Sequence, residues 1–332
     1  MIFVTGGTGL VGSHLLLQLV DRGEKVRALK RSSSDIRSVE LFFKRHKAQE
    51  IFHKIEWIDG DILDVTFLPS ALQGIKTIIH TAAFVSFNES EKDQIISTNV
   101  NGTEALVNEA IDSGVEEFIY LSSIAAMDDL NPVTKLIDEK STWNTEANHS
   151  AYAFSKYRAE MEVWRGSQEG LNVIVLNPSV IIGSLDGKRE SERIFENKFI
   201  NQYAPSGGTG FVDVRDVVEL LIKAFDQRLF NQKFIVNAEN LLYREVLQLV
   251  AHKRGQEIQS ISNNALKVVQ FASQFNKLVG GQSLNSGTYK ALTSFTKYDN
   301  SKSIETFKHQ FIPIKEAIDY HYQNYQEIIS SK

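Results

Sequence analysis

The stretch Ile2–Leu15, IFVTGGTGLVGSHL, constrains the fold of this chain more than any other. It opens on a short apolar, β-branched and aromatic run, Ile2-Phe3-Val4-Thr5, of the kind buried in a parallel sheet. Gly6, Gly9 and Gly12 follow at a spacing of three, and then the helical pattern Leu15-Leu16-Leu17…Leu19-Val20. In a strand–loop–helix of this kind, Gly6 lets the chain leave the strand sharply and Gly9 lets backbone approach a pyrophosphate. Gly12 lets the helix pack closely. The anion then sits at the helix N-terminus, where unpaired N–H groups and the dipole favour negative charge. A tight turn without a ligand is the bland alternative, and the flanking strand and helix argue against it. The loop predicts a bound dinucleotide, held by Gly6, Thr8, Gly9, Leu10, Val11 and Gly12.

A chain of 332 residues is long for one compact domain and comfortable for one and a half or two. Its 42% hydrophobic and 23% charged residues are those of an ordinary soluble globular protein. The net charge of −5 gives no basis for a nucleic-acid or anionic-membrane partner. With no cysteine, disulfides, thiol nucleophiles and thiolate metal sites are excluded, and no metal site is expected. The first strand starts at residue 2, which leaves no room for a targeting peptide, and no apolar run approaches the ~20 residues that span a bilayer. A cytoplasmic protein without a membrane partner is expected.

Short apolar runs then alternate with helical patterns. Lys25–Lys30 reads as the second strand and ends in Arg31-Ser32-Ser33-Ser34. An acid at that point suits the ribose 2′-hydroxyl of NAD, whereas a cation suits the 2′-phosphate of NADP. No acid comes before Asp35, so Lys30, Arg31 and Ser32 favour NADP, with NAD as the alternative. A polar helix over Arg37–Phe52 leads to a third strand, Ile55–Ile58, and to Asp61-Ile62, where Asp61 is placed to accept from an adenine amino group. Thr77–His80 is a fourth strand, closed by Thr81-Ala82-Ala83, small residues that let backbone lie against a cofactor. His80 lies inside an apolar strand and reads as a hydrogen-bonded core histidine. A long helix over Glu91–Ser113 carries the cluster Asn99–Thr103, locally unfavourable in mid-helix, so Asn99 is expected to bond to neighbouring backbone or water. Gly114 caps that helix, and Glu117–Leu121 is a fifth strand ending in Ser122-Ser123.

Asp128–Ser150 is polar and irregular; Tyr152–Gln168 reads as a helix and Leu171–Leu176 as a sixth strand. Asn177-Pro178-Ser179 and a strand at Val180–Gly183 follow, then a short helix at Arg193–Gln202. Gly207-Gly208-Thr209-Gly210 lacks the preceding strand that a second phosphate cradle needs, and Phe211–Val214 leads into a helix over Arg215–Phe225. Lys233–Asn237 is a further strand. From Leu241 the chain is mainly helical, with amphipathic segments near Tyr243–Lys253, Ala265–Val279 and Ile314–Ile329. Alternating strands and helices without tight-hairpin cues give an α/β fold: a Rossmann-type doubly wound parallel sheet with a smaller, mainly helical C-terminal substrate lobe. The dinucleotide-binding domain is assigned to residues 1–183 plus 207–237, and the substrate lobe to 184–206 plus 238–332.

Tyr152 and Lys156 are four apart on one helix and share a face. A tyrosine of pKa ~10 has to be acidified by ~3 units to work near neutral pH, and a neighbouring ammonium supplies part of this by favouring phenolate. Ser123, at a strand end over the same crevice, can hold a carbonyl or hydroxyl beside Tyr152. Tyr-x-x-x-Lys alone is usually a surface helix. Joined to the glycine loop and a strand-end serine, it points to hydride-transfer chemistry.

Thr5-Gly6-Gly7-Thr8-Gly9-Leu10-Val11-Gly12, Asp61-Ile62, Asn99-Val100-Asn101-Gly102-Thr103, Ser122-Ser123 and Tyr152…Lys156 together resemble the extended short-chain dehydrogenase/reductase family, over about residues 1–240. That family includes the NAD-dependent epimerase/dehydratases. The resemblance implies that Tyr152 is the acid/base, that Lys156 lowers its pKa and binds the nicotinamide ribose, and that Ser123 orients substrate. It also implies that Asn99 supports the site, that Pro178-Ser179-Val180 packs along the nicotinamide, and that the chain forms a homodimer. Val26–Arg31 looks like the second strand of dihydroflavonol reductases and their hydroxysteroid dehydrogenase relatives, where an arginine at the Arg31 position reads the NADP phosphate. The Asp-Glu pair of sugar dehydratases is absent, since Ile124-Ala125-Ala126 follows Ser123. The expectation is an NADP-dependent oxidoreductase acting on a small-molecule alcohol or carbonyl. A NAD-dependent nucleotide-sugar epimerase is the alternative. A non-catalytic cofactor sensor would have no use for an acidified tyrosine.

Overall fold

Most short apolar runs between helices become strands of one seven-stranded parallel sheet in the computed structural model, which describes residues 1–86, 88–196, 203–260, 267 and 286–330. The first half of the chain runs β1 (Ile2–Thr5), α1 (Leu10–Asp21), β2 (Val26–Lys30), α2 (Arg37–Arg45), α3 (Gln49–Phe52), β3 (Ile55–Asp59), α4 (Leu68–Ala71) and β4 (Thr77–His80). It continues through α5 (Lys92–Ile96), a π-helical turn at Ser97–Asn101, α6 (Gly102–Asp112), β5 (Glu117–Leu121), α7 (Ala151–Gln168) and β6 (Asn172–Pro178). Then come β7 (Val180–Ile182), β8 (Tyr203–Ala204), β9 (Gly208–Asp213), α8 (Val214–Asp226), β10 (Gln232–Val236), β11 (Glu239–Leu242) and α9 (Tyr243–His252). Further helices lie at Ser301–Phe307 and Ile314–Ser330.

The strand order of the seven-stranded sheet is β10-β6-β5-β4-β1-β2-β3. The chain builds outward from β1 through β2 to β3, then crosses back to β4 and builds the other way. This reversal leaves a crevice at the carboxyl ends of β1 and β4, where ligands of doubly wound sheets bind. Alternate residues of each strand feed opposite cores. Val4, Ala28 and Ile79 meet Leu15, Leu16 and Leu19 of α1, Phe42 and Phe43 of α2, and Leu220 and Leu221 of α8. Phe3, Ile78 and Phe118 meet Leu106 and Val107 of α6 and Ala159 and Val163 of α7. Burying each such side chain contributes about 2 kcal/mol. A third cluster joins Ile182, Phe211, Val246 and Val250 to Ile314 and Ile318 of the C-terminal helix.

Four local expectations change in the folded chain. The polar helix divides because Lys47 adopts a left-handed φ of 56°, with Lys47 N–H donating to Lys44 and Ala48 N–H to Phe43, a Schellman turn closed by a buried alanine. The glycine run Gly208-Thr209-Gly210 is the first half of β9, which pairs in parallel with β7 and antiparallel with β11. Glycine is needed there for close approach: a Cβ on Gly210 would lie 2.2 Å from Asn237 Oδ1, and one on Gly208 would lie 2.5 Å from the Leu241 carbonyl. The chain after Leu241 first completes β11 before turning helical. Glu190–Phe195 is a 3-10 helix, so the helix expected from Arg193 stops early, and 197–202 lie outside the described residues. The helix expected over 265–279 also lies outside them, apart from Lys267. Among the described residues, no helix is long and apolar enough to cross a membrane.

Candidate functional site

The crevice begins at the glycine loop. Gly6 turns out of β1 at φ 72°, a conformation that glycine adopts without steric cost, and Gly9 N–H donates to Gly6 O at 2.8 Å. A Cβ on Gly6 would lie 2.6 Å from Ala82 N, and one on Gly12 would lie 2.1 Å from Gly6 O. The loop is thus packed between the chain leaving β4 and the start of α1. Gly12 serves closeness to the loop's own backbone as much as to the sheet. Gly9 is the N-cap of α1, no side chain caps this end, and its first turn holds no acid. An anion is what such a terminus lacks, so Thr8, Gly9, Leu10 and Val11 suit a diphosphate. Across the crevice, Thr81 Oγ1 donates to Thr5 O at 2.7 Å and Ala82 N–H to Thr5 Oγ1 at 3.3 Å, which fixes the Thr81-Ala82-Ala83 backbone along its wall.

At the adenosine end, Lys30 is not free to meet a phosphate, because it pairs with Asp59, its register partner on β3. Arg31 and Ser32 remain exposed just beyond β2. Asp61 accepts from Leu63 N–H at 3.0 Å. Ile62 is buried against Gly102, whose hydrogen leaves room for it.

At the other end, Ser150 caps α7 by accepting from Ala153 N–H at 3.1 Å, which places Tyr152 in the first turn. Of the two serines after β5, Ser122 turns inward and donates to Glu160 at 2.7 Å, while Ser123 is hydrogen-bonded to the Tyr152 hydroxyl. Lys156 is almost fully buried; its Nζ donates to Leu121 O at 2.8 Å and to Tyr120 Oη at 3.4 Å. Burial pushes the Tyr152 hydroxyl up to about 12, with the Ser123 bond pulling the other way. Burial pushes Lys156 down to about 7, against the pull of the Glu160 carboxylate. The tyrosine is therefore not acidified in the free protein, because desolvation disfavours the charged form of both groups and the ammonium points to β5.

Asn99 lies in the π-helical turn, and its amide reaches the chain after β4. It accepts from Phe84 N–H at 2.7 Å and donates to Phe84 O at 3.0 Å and to Ser155 Oγ at 2.9 Å. Its hydrogen bonds thus clamp the chain after β4 to α7 rather than reaching Tyr152 or Lys156. Ser179 N–H donates to Val236 O at 3.0 Å beside Pro178, and the Val180 side chain is open to solvent. His80 is a core residue: Thr5 Oγ1 and Thr103 Oγ1 hold its ring at 2.6 and 2.9 Å, and burial pushes it down to about 3, keeping it neutral.

Four residues of this region were not singled out by motif. Ser155 bridges Tyr152 O to Asn99. Glu160 and Asn177 lie beneath the strand ends, with Asn177 Nδ2 donating to Ser123 O at 3.1 Å and to Glu160 at 2.8 Å. Glu160 was legible in principle, as an acid four residues past Lys156. Arg189 rests on the glycine loop, donating to Thr8 O at 2.8 Å, and no local pattern announces it.

A family model, the NAD dependent epimerase/dehydratase family, matches residues 2–237. Among curated relatives, sterol demethylase protein B of Methylococcus capsulatus is 30% identical over 258 residues, which cover 76% of this chain and 74% of that one. A putative dihydroflavonol 4-reductase of Synechocystis sp. is 31% identical over 252 residues, covering 74% of this chain and 70% of that one. Among solved structures, yeast methylglyoxal/isovaleraldehyde reductase Gre2, complexed with NADPH, has the same fold, with a TM-score of 0.72 at 22% identity over 99% of both chains.

Proposed function

The chain belongs to the NAD dependent epimerase/dehydratase family, and on that premise we propose that it is an NADP-dependent oxidoreductase that interconverts a secondary alcohol and a ketone or aldehyde. The observation that carries this reading is the Tyr152 hydroxyl bonded to Ser123 over the crevice, one helical turn from the buried Lys156. A nicotinamide bound there would supply or accept the hydride and, when oxidised, would add a positive charge. Ser123 orients the carbonyl oxygen. Tyr152 gives its proton to the nascent alkoxide, or takes it back in the oxidative direction. Lys156 stabilises the phenolate so formed and holds the ribose hydroxyls. Substrate selection is assigned to the lobe comprising 184–206 plus 238–332.

The choice of NADP rests on Arg31. With Lys30 paired to Asp59, Arg31 is the exposed cation beyond β2, and a guanidinium suits a 2′-phosphate. The Synechocystis relative is named a putative reductase, which suits the reaction proposed.

The test is to denature the purified protein, identify any nucleotide released, and titrate the nucleotide-free protein with NADPH and NADH. Tight, exchangeable NADPH binding is expected. Arg31→Ala should weaken NADPH by about tenfold or more, from loss of one charge-assisted contact, and NADH by less than about twofold. Equal losses would remove Arg31 as the phosphate reader. Stoichiometric NAD that does not exchange would replace the reductase reading with that of an epimerase, whose cofactor is reduced and reoxidised within one turnover.

A further inference from the structure

A buried carboxylate lies directly behind the proposed chemistry and takes no part in it. Glu160 is 3% exposed, on α7 four residues beyond Lys156, which is also 3% exposed. Its oxygens accept from Ser122 Oγ at 2.7 Å, Asn177 Nδ2 at 2.8 Å and Trp164 Nε1 at 3.3 Å. Three neutral donors keep the carboxylate solvated in the interior, which is what a buried charge needs to persist. They do not neutralise it. Lys233 on β10 forms a long ion pair with it at 3.9 Å, from a side chain that is 22% exposed.

The other buried charge near it is Lys156. The groups facing this ammonium are Leu121 O and Tyr120 Oη from β5, the neutral His80 from β4, and Tyr152 and Glu160 from its own helix. Of these, only Glu160 is an anion. We propose that Glu160 is a positioning residue of the Tyr152–Lys156 pair: it is the counter-charge that lets a buried ammonium persist, and through Ser122 and Asn177 it fixes the strand ends that carry Ser123. This rests on the assignment of Tyr152 and Lys156 made above. Two like-sized opposite charges sharing one low-dielectric interior sustain each other, and removal of one drives the other to neutralise. Without Glu160, burial acts on Lys156 unopposed, and it gives up its proton at lower pH.

The experiment follows Lys156 directly and needs neither substrate nor cofactor. Protein labelled with carbon-13 at lysine Cε is titrated by NMR between about pH 5.5 and 9.5, a span that brackets a depressed lysine. The Lys156 signal is assigned by its absence in Lys156→Arg. In Glu160→Gln, which preserves shape and removes charge, the midpoint should fall by about one unit or more, a tenfold loss in the ratio of charged to neutral amine. An unchanged midpoint in this variant overturns the proposal. Glu160→Asp keeps the charge while shifting the hydrogen bonds, so its midpoint should stay within about 0.3 units of wild type. A full-unit shift there also overturns the proposal, even if Glu160→Gln does not fold. Turnover that survives in Tyr152→Phe would instead remove the functional assignment and leave the titration standing.

Discussion

Tyr152→Phe is expected to lower the rate of carbonyl reduction by about a thousandfold or more, the scale of a lost general acid, while NADPH affinity stays within about twofold. The two effects separate because the hydroxyl meets Ser123 and, on the proposed reading, the reacting oxygen, whereas the ring keeps its place in the first turn of α7. The hydroxyl of the free protein is pushed up to about 12, so below that pH it carries its proton and is ready to donate it. On the proposed reading, the same group has to lose that proton in the oxidative direction, and the charge of Lys156 assists it. Lys156 is pushed down to about 7, so its ammonium is progressively lost as pH rises through neutrality. Near-normal reduction by Tyr152→Phe, measured by NADPH consumption, would end the assignment of Tyr152 as the acid.

Among the described glycines, Gly12 is the one whose added Cβ would come closest to backbone, so Gly12→Ala should be strongly damaging. The added Cβ would lie 2.1 Å from Gly6 O, a backbone atom that cannot rotate away. Relief requires α1 to slide along the sheet or the loop to open, at a cost of about 3 kcal/mol of stability. Either movement takes the first N–H groups of α1 off the line of the diphosphate. Loss of two such contacts weakens nucleotide binding by about a hundredfold or more. Isothermal titration with NADPH and a thermal melt read the two effects separately. An unaltered melting temperature with affinity within about threefold would mean that this loop is not the phosphate cradle.

The parts of the fold that could be read in advance are those set by neighbours in sequence. Ile2–Thr5 followed by Gly6, Gly9 and Gly12 specifies strand, loop and helix within fifteen residues, and Gly6 and Gly12 each have a steric reason that a Cβ would violate. Gly114, at φ 69°, ends α6 as a C-cap glycine should. Errors fell where a local pattern was ambiguous until its partner was known. Gly207–Gly210 has the composition of a loop, yet Gly208 and Gly210 are strand residues because Leu241 and Asn237 press against them from elsewhere. The π-helical turn at Ser97–Asn101 also could not be foreseen, since its reason is the bond from Asn99 to Phe84 and Ser155.

The candidate site divides in the same way. By itself the sequence determined which residue types reach the crevice: strand ends supply Ser123 and Thr81, and the four-residue spacing of Tyr152 and Lys156 puts them on one face of a helix. Only the tertiary structure decided what each polar group does there. It turned Ser122 to Glu160 and Ser123 to Tyr152, tied Lys30 to Asp59, aimed Lys156 at Leu121 and brought Arg189 onto Thr8. Backbone geometry is short-ranged and is written in consecutive residues. Hydrogen bonds and charge pairing depend on groups 29 to 181 positions apart, which packing alone brings within reach.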